Sequence, residues 1–437
     1  MSTSYTIGLD LGTTAVKACA FTDDGELLAQ ADQSYALRHP EPGAAVQDPE
    51  EVLTAAAEGL RVVIQEMNGP PAGIGLCTAM HSLLLLSADY TPVSPIITWA
   101  DTRAQAIMND FTQKQKRALL RRTGTPVHPM SPLVKLRYLH ATQDASRKRM
   151  HYVSDLKSYL VHQWTQDGLC LDSSLVSATG LYGLKPQSWD QEALQLAKIT
   201  EAALPKVLSP TTRLRWRTEV MEQLGISTDV PLVIGGSDGC LANLGSKLQP
   251  GEIALSIGTS GAVRTTHQGV EVDPSLGLFN YHIKGTDYAL GGATNNGGKV
   301  IEWLFDLLDH PYQSIGEMLG AAAAVDTEGL SFVPHIYGER APIYDAAASG
   351  SFTGVRSHHQ PAQYARAAVE GVTDNIITIL RSLEVVTGPA SRIIASGGFT
   401  ASPFWLDLIA KKSGRAVVVA DTAQASAYGA ALLVMGR

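Results

Sequence analysis

Several things this 437-residue chain lacks narrow its function before any motif is read. It has four cysteines, Cys19, Cys77, Cys170 and Cys240, widely spread, with no C-x-x-C pair and no adjacent histidine. That pattern suits buried free thiols in a reducing cytosol rather than disulfides or a zinc site. No apolar run approaches the roughly 20 residues that span a bilayer, and no basic, apolar leader precedes the first strand pattern. The expectation is a cytoplasmic protein with no membrane partner. Positive charge is also short. A net charge of -8 argues against non-specific nucleic-acid binding, which needs a basic face, but is compatible with an anionic substrate at a locally basic site. Two nucleotide signatures are missing too. No G-x-G-x-x-G joins the first strand to a helix, and no G-x-x-x-x-G-K-[ST] occurs, so Rossmann and P-loop readings both fail.

What is present begins at the N-terminus. The apolar run Ile7-Gly8-Leu9-Asp10 ends on a carboxylate and turns through Leu11-Gly12-Thr13-Thr14 into a second β-type run, Val16 to Phe21. A near-echo follows in the other half, where Leu255-Ser256-Ile257 turns through Gly258-Thr259-Ser260-Gly261 into Ala262 to Thr265. Small and hydroxyl residues let backbone N–H groups face an anion such as phosphate. The acid at Asp10 is of the kind that holds magnesium, which uses few carboxylates and keeps its waters. One such turn also serves an ordinary hairpin. Two copies, one per half, suggest a duplicated fold closing on a nucleotide from both sides.

The length calls for two or more domains. The first half reads as strands at Tyr5–Leu9, Ala15–Phe21 and Leu27–Tyr35, then a helix from about Asp48, then strands at Ile74–Cys77 and Leu83–Ser87. The Asp-Pro-Glu-Glu opening at Asp48 supplies an N-cap, a proline at the first helical position and acids in the first turn. The second half repeats the order loosely: Ile253–Ile257, Ala262–Thr265, Tyr288–Gly291, helices from Gly298 and through Pro361–Val386, and a strand at Arg392–Ala395. Glycine- and proline-containing segments at 231–236 and 249–251 bracket the junction, so the division is 1–248 and 249–437. Gln33–Val46 and Glu339–Phe352 read as loops. The class is α/β, mixed sheets with helices against them.

Four further segments are candidates for chemistry. Gly235-Gly236-Ser237-Asp238-Gly239 sets an acid among glycines after a buried strand, either as a general base for a substrate hydroxyl or as an Asx turn. Gly397-Gly398 leads through Ser402 into a helix pattern, and serves either a flat ligand such as adenine or the turn alone. Asn296-Gly297-Gly298 is a similar cluster. Met80-His81 and Trp99-Ala100-Asp101-Thr102-Arg103 follow short apolar runs. Taken singly, His81 is structural, Trp99 is core, and Asp101 with Arg103 is a local ion pair. Together, an aromatic, an acid, a cation and a histidine near strand ends suit a polyol pocket.

In this order, these segments resemble the FGGY carbohydrate kinases over essentially the whole chain. The resemblance implies two ribonuclease-H-like domains of the actin and hexokinase superfamily around an ATP cleft. Ala79-Met80-His81-Ser82-Leu83, the Trp99 to Arg103 segment, Thr123 to Pro132, Ser177 to Leu181 and Gly338-Glu339-Arg340-Ala341-Pro342 are most similar to gluconate kinases. The resemblance implies ATP-dependent phosphorylation of a sugar acid or polyol, with D-gluconate first; the alternatives are a kinase for another sugar or polyol such as xylulose, or a non-catalytic ATP- and sugar-binding relative, and a homodimer is compatible with it. It also implies roles. Asp238 is the base; Asp10 serves hydrated Mg2+; Thr13, Thr14 and Lys17 surround the β- and γ-phosphates. Thr259, Gly298, Gly398 and Ser402 match nucleotide positions, and Met80, His81, Trp99 and Asp101 the sugar side, with Arg103 a candidate for a substrate carboxylate. Three departures stand out: Tyr138 where Trp is usual, Tyr364 where an aliphatic residue or Phe is usual, and Thr102 in place of Asn. Most relatives continue beyond the Ala425 to Ala431 segment, which leads to the expectation of a shortened second domain.

Overall fold

The run Thr6–Leu11 is buried along almost its whole length, as the middle strand of a sheet covered on both faces must be. In the computed structural model, which describes residues 4–67, 69–226, 230–420 and 424–437, it is such a strand. We label it β1. Around it lie β2 (Ala15–Phe21), β3 (Leu27–Ser34), β4 (Gly73–Thr78), β5 (Arg213–Leu214) and β6 (Leu232–Ser237), in the order β5-β6-β4-β1-β2-β3. β1, β2 and β3 pair antiparallel, while β4 and β6 run parallel to β1. Helix α1 (Pro49–Met67) covers β2 and β3. Its start is as the sequence predicts, with Asp48 accepting from Glu50 N at 2.9 Å.

The second sheet repeats the plan. It contains β7 (Glu252–Ile257), β8 (Gly261–His267), β9 (Phe279–Lys284), β10 (Asp287–Thr294), β11 (Arg392–Ser396) and β12 (Ala416–Val419), in the order β9-β10-β8-β7-β11-β12. Here four antiparallel strands, β7 to β10, precede two parallel ones. The long helix Pro361–Thr387 fills its core. Strand β9 is an addition that the sequence pattern does not single out, as is a third apolar cluster built from residues between Val46 and Val207.

One helix follows the last parallel strand of each sheet, and the two cross. Asp238–Gly245 follows β6, and Ala425–Val434 follows β12. The latter packs on β1 and β4 of the first sheet, and the former reaches β8, β9 and β10 of the second. Glycines allow this crossing. A Cβ on Gly429 would stand 2.0 Å from the Leu241 carbonyl oxygen, and one on Gly245 2.0 Å from that of Ala425. The chain beyond residue 424 therefore contributes to the core of the first sheet. All four cysteines are buried free thiols. Among the described residues, no helix is long and apolar enough to cross a membrane.

Candidate active site

Asp238 owes its position to an irregular strand. The pairing of β6 with β4 slips between Val233 and Gly236, and Gly235 has a φ of 68° in the left-handed region. A Cβ there would lie 1.7 Å from the Leu76 carbonyl oxygen, so only glycine fits. Such a bulge re-aims the residues after it. Asp238 becomes the first residue of a helix rather than part of a loop. Its Oδ1 accepts from Gly239 N at 2.8 Å and Met80 N at 3.3 Å. Beneath it, fully buried Lys157 donates to the Gly236 carbonyl and to Asp172, both at 2.8 Å. Burial raises the Asp238 carboxyl above the ordinary range, opposed by the Gly239 amide and by Arg264.

Asp238 opens on a cavity of about 270 Å³ between the two sheets. Of the residues expected on the sugar side, Met80, His81 and Trp99 line it, and Thr13 of the first turn joins them. His81 is held firmly, with a φ of 67° that a non-glycine residue seldom adopts. Its Nδ1 lies 2.7 Å from the Ala178 carbonyl, which can only accept, so Nδ1 carries the proton and Nε2 is the acceptor. Burial, with Lys135 nearby, lowers its pKa to about 3, so the ring is neutral at physiological pH. Lys135 Nζ ties down the His81 carbonyl at 2.6 Å and the Ile97 carbonyl at 3.3 Å, linking both sugar-side segments.

Asp101 and Arg103 do not line the cavity. Arg103 binds Asp101 through Nε and Nη2, the latter at 2.7 Å, and reaches Glu41 with Nη1 at 2.6 Å. Asp101 also accepts from Ala45 N at 3.1 Å. The pair pins a loop, which is the default reading of those residues, and the guanidinium has no arm left for a ligand in the cavity. The cavity's cations are Arg264 on β8 and Arg340, neither of which the sequence pattern places in the site. A basic residue seven positions after the β7 apolar run, and one inside Gly-Glu-Arg-Ala-Pro, were the available signals. Tyr281 and Tyr344 complete the polar wall.

The nucleotide-side residues gather elsewhere. Gly298 N donates to the Gly258 carbonyl at 2.6 Å and Lys299 N to that of Thr259 at 3.3 Å, bringing the second turn against a helix N-terminus at Gly298–Leu307. Thr259 is exposed there. Gly398 faces open space: a Cβ added to it would meet no atom within 4 Å. Ser402 caps the helix Pro403–Ser413, accepting from Trp405 N at 3.4 Å. In the first turn, Thr14 is exposed, and Lys17 pairs across from Asp10 and donates to Gln424 at 3.2 Å. Asp10 Oδ1 is buried without a hydrogen-bond partner. Burial, then the charge of Asp238, raises its pKa to about 6. The position matching Asp10 in the second turn is Ser256, so only the first turn carries an acid.

Comparison with known proteins agrees with this architecture. Residues 5–245 match the N-terminal domain of the FGGY family of carbohydrate kinases, and residues 253–435 match its C-terminal domain. A gluconokinase of Bacillus subtilis is 35% identical, the match covering 99% of this chain and 87% of that protein. A xylulose kinase of Lactococcus lactis is 28% identical over 92% of this chain and 81% of its own length. Among solved structures, a gluconate kinase from Lactobacillus acidophilus superposes with a TM-score of 0.93 at 34% identity, covering 99% of this chain and 89% of that one. A ligand-bound xylulose kinase from the same organism gives the same TM-score and identity, covering 99% and 90%. With both halves matched in order and the duplicated sheets in place, the chain belongs to the FGGY family of carbohydrate kinases.

Proposed function

We propose that this kinase transfers the γ-phosphoryl group of ATP to the terminal hydroxyl of D-gluconate, giving 6-phosphogluconate. The observation that carries the reading is the cavity at Asp238, where a raised carboxylate meets hydroxyl-binding groups and two guanidinium groups. The higher identity to gluconokinase than to xylulose kinase supports the same choice.

Phosphoryl transfer asks a protein mainly for positioning and charge neutralisation. In this reading Asp238 accepts the proton of the attacking hydroxyl. His81 Nε2 accepts from a second hydroxyl, and Met80 and Trp99 bound the sugar chain. Asp101 and Arg103 act by holding the segment that carries Trp99. Thr13, Thr14 and Lys17 flank the β- and γ-phosphates, while Thr259, Gly298, Gly398 and Ser402 serve the nucleotide. The buried, unpartnered Asp10 Oδ1, close enough to Asp238 to feel its charge, fits a hydrated Mg2+. Bound there, the ion would neutralise phosphate charge. Closing of the two domains would exclude water from the reaction.

The test is an ADP-release assay on D-gluconate, D-xylulose and glycerol, with wild-type protein and Asp238→Asn. D-gluconate is expected to give the highest kcat/KM, and Asp238→Asn to lose on the order of a hundredfold or more in kcat. No gluconate-dependent ADP release rejects the substrate, and near-normal turnover by the variant rejects the base. A preference for D-xylulose, favoured by the equal superposition of the Lactobacillus xylulose kinase, would select that reading.

A further inference from the structure

Arg264 and Arg340 are two cations lining one cavity, and among the described residues neither forms an ion pair. Each has an Nε atom that is buried and has no hydrogen-bond partner. Arg264 uses Nη1 and Nη2 only for long contacts, both 3.3 Å, to the Gly239 carbonyl and Ser256 Oγ. Arg340 spends Nη2 on the Thr294 carbonyl at 3.0 Å and stands over the Trp99 ring, 5.4 Å from its centroid. Its neighbour Glu339 is a nearby negative charge but forms no salt bridge with the guanidinium. Both Glu339 oxygens are taken by Thr294, Asn295, Asn296, Asn375 and the Arg340 backbone amide, with His335 Nδ1 3.2 Å from Oε2.

Burying an unpaired charge is costly, and leaving its donors unmade adds to the cost. Burial depresses both guanidinium groups, opposed only in part by the charge of Asp238 on Arg264 and of Glu339 on Arg340. A guanidinium fork matches a carboxylate in shape as well as in charge. The obvious sequence candidate, Arg103, is occupied by Asp101 and Glu41.

We propose that Arg264 and Arg340 seat the carboxylate of the substrate and so select a sugar acid over a neutral polyol. This rests on the gluconate reading above. The two residues enter from β8 and from the Gly338 to Pro342 loop, both in the second half of the chain, whereas the base Asp238 enters from the first. Substrate selection would then depend on the two halves being correctly docked.

The experiment compares D-gluconate with D-gluconamide, its neutral isostere, on wild-type protein, Arg264→Met, Arg340→Met and the double variant. Wild type is expected to prefer gluconate by at least tenfold in kcat/KM, and the double variant to lose that preference, chiefly through a raised KM for gluconate. A gluconate-to-gluconamide ratio in the double variant that stays within threefold of wild type overturns the proposal. Wild-type protein without gluconate turnover rejects the gluconate reading itself, a result distinct from an unchanged ratio. Should the double variant fold poorly, Arg264→Lys and Arg340→Lys carry the test: both keep charge and lose the fork, and an unchanged ratio in both overturns the assignment.

Discussion

Trp99 Nε1 donates to Thr13 Oγ1 at 2.9 Å, so the sugar-side segment is tied to the first phosphate turn by one hydrogen bond. Thr13 is held a second time, its carbonyl accepting from Gln47 Nε2 at 2.6 Å. Trp99, which taken singly reads as core, is therefore a strut between the Asp238 cavity and the Thr13 turn. Trp99→Phe keeps an aromatic face beneath Arg340 and removes only the donor. Losing one such bond costs about 1 kcal/mol, so kcat/KM for the sugar acid should fall roughly five- to tenfold. Steady-state kinetics beside a thermal melt would check this. An unchanged kcat/KM refutes the strut.

Lys135 gives a prediction about pH. Burial lowers its ammonium to about 7 from an ordinary 10.5, only partly opposed by Asp101. Between those two values the unfolded chain holds the proton while the folded protein has released it. Stability contributed by this residue must then rise as pH climbs from about 7 to about 10.5, and below 7 the burial cost is felt in full. Lys135→Met removes the titration. Urea midpoints of wild type minus variant should grow across that window, and a flat difference would contradict the assignment.

Much of this was legible in the sequence because strand patterns and turn residues act locally. Asp10 with its glycine-threonine turn, the Gly258 echo, and the Asp48 cap all sit where short-range rules put them. Gly235 is visible as a glycine, but its bulge depends on pairing with Leu76, some 160 residues away, so from sequence the helix that starts at Asp238 reads as a turn. Arg264 and Arg340 escape the sequence for the same reason. What distinguishes them is that they line the cavity with unpartnered Nε atoms, an arrangement in space that their sequence signals only hint at. Arg103 shows the converse. Its neighbours in sequence, with Glu41, absorb it, so the local ion-pair reading describes its geometry better than the ligand reading does.

The crossing of the last helix predicts a local sensitivity. A Cβ on Gly8 would sit 1.8 Å from the Ala427 carbonyl oxygen, a backbone atom that cannot swing away. Gly8→Ala should push that helix off β1 and cost about 1–3 kcal/mol or more. Gly59 makes the control, because its added methyl would meet Ala18 at an ordinary 3.6 Å inside α1. There, alanine should be neutral or gain up to about 1 kcal/mol through helix propensity. Differential scanning calorimetry of the two variants decides it: equal melting temperatures would mean the crossing contributes little.

Glu339 joins the two ligand regions through donors alone. Its Oε1 accepts from the amides of Asn295 and Arg340, at 3.1 and 2.7 Å, and its Oε2 from Thr294 and the side chains of Asn296 and Asn375. One residue further on, Arg340 reaches the cavity, and one residue after Asn296 begins the Gly297-Gly298 turn against Gly258. These five partners donate, and His335 Nδ1 also lies 3.2 Å from Oε2, so an ionised carboxylate satisfies the site best. Glu339→Gln keeps the shape but turns an NH2 toward at least two donors, whichever way the amide faces. Breaking a buried charged network of this kind costs about 3–5 kcal/mol. The distinctive consequence is kinetic: KM for ATP and KM for the sugar acid should both rise several-fold in the fraction that remains folded, with kcat less affected. A merely structural residue would lower the melting temperature and leave both KM values where they were, so measuring all three separates positioning from scaffold.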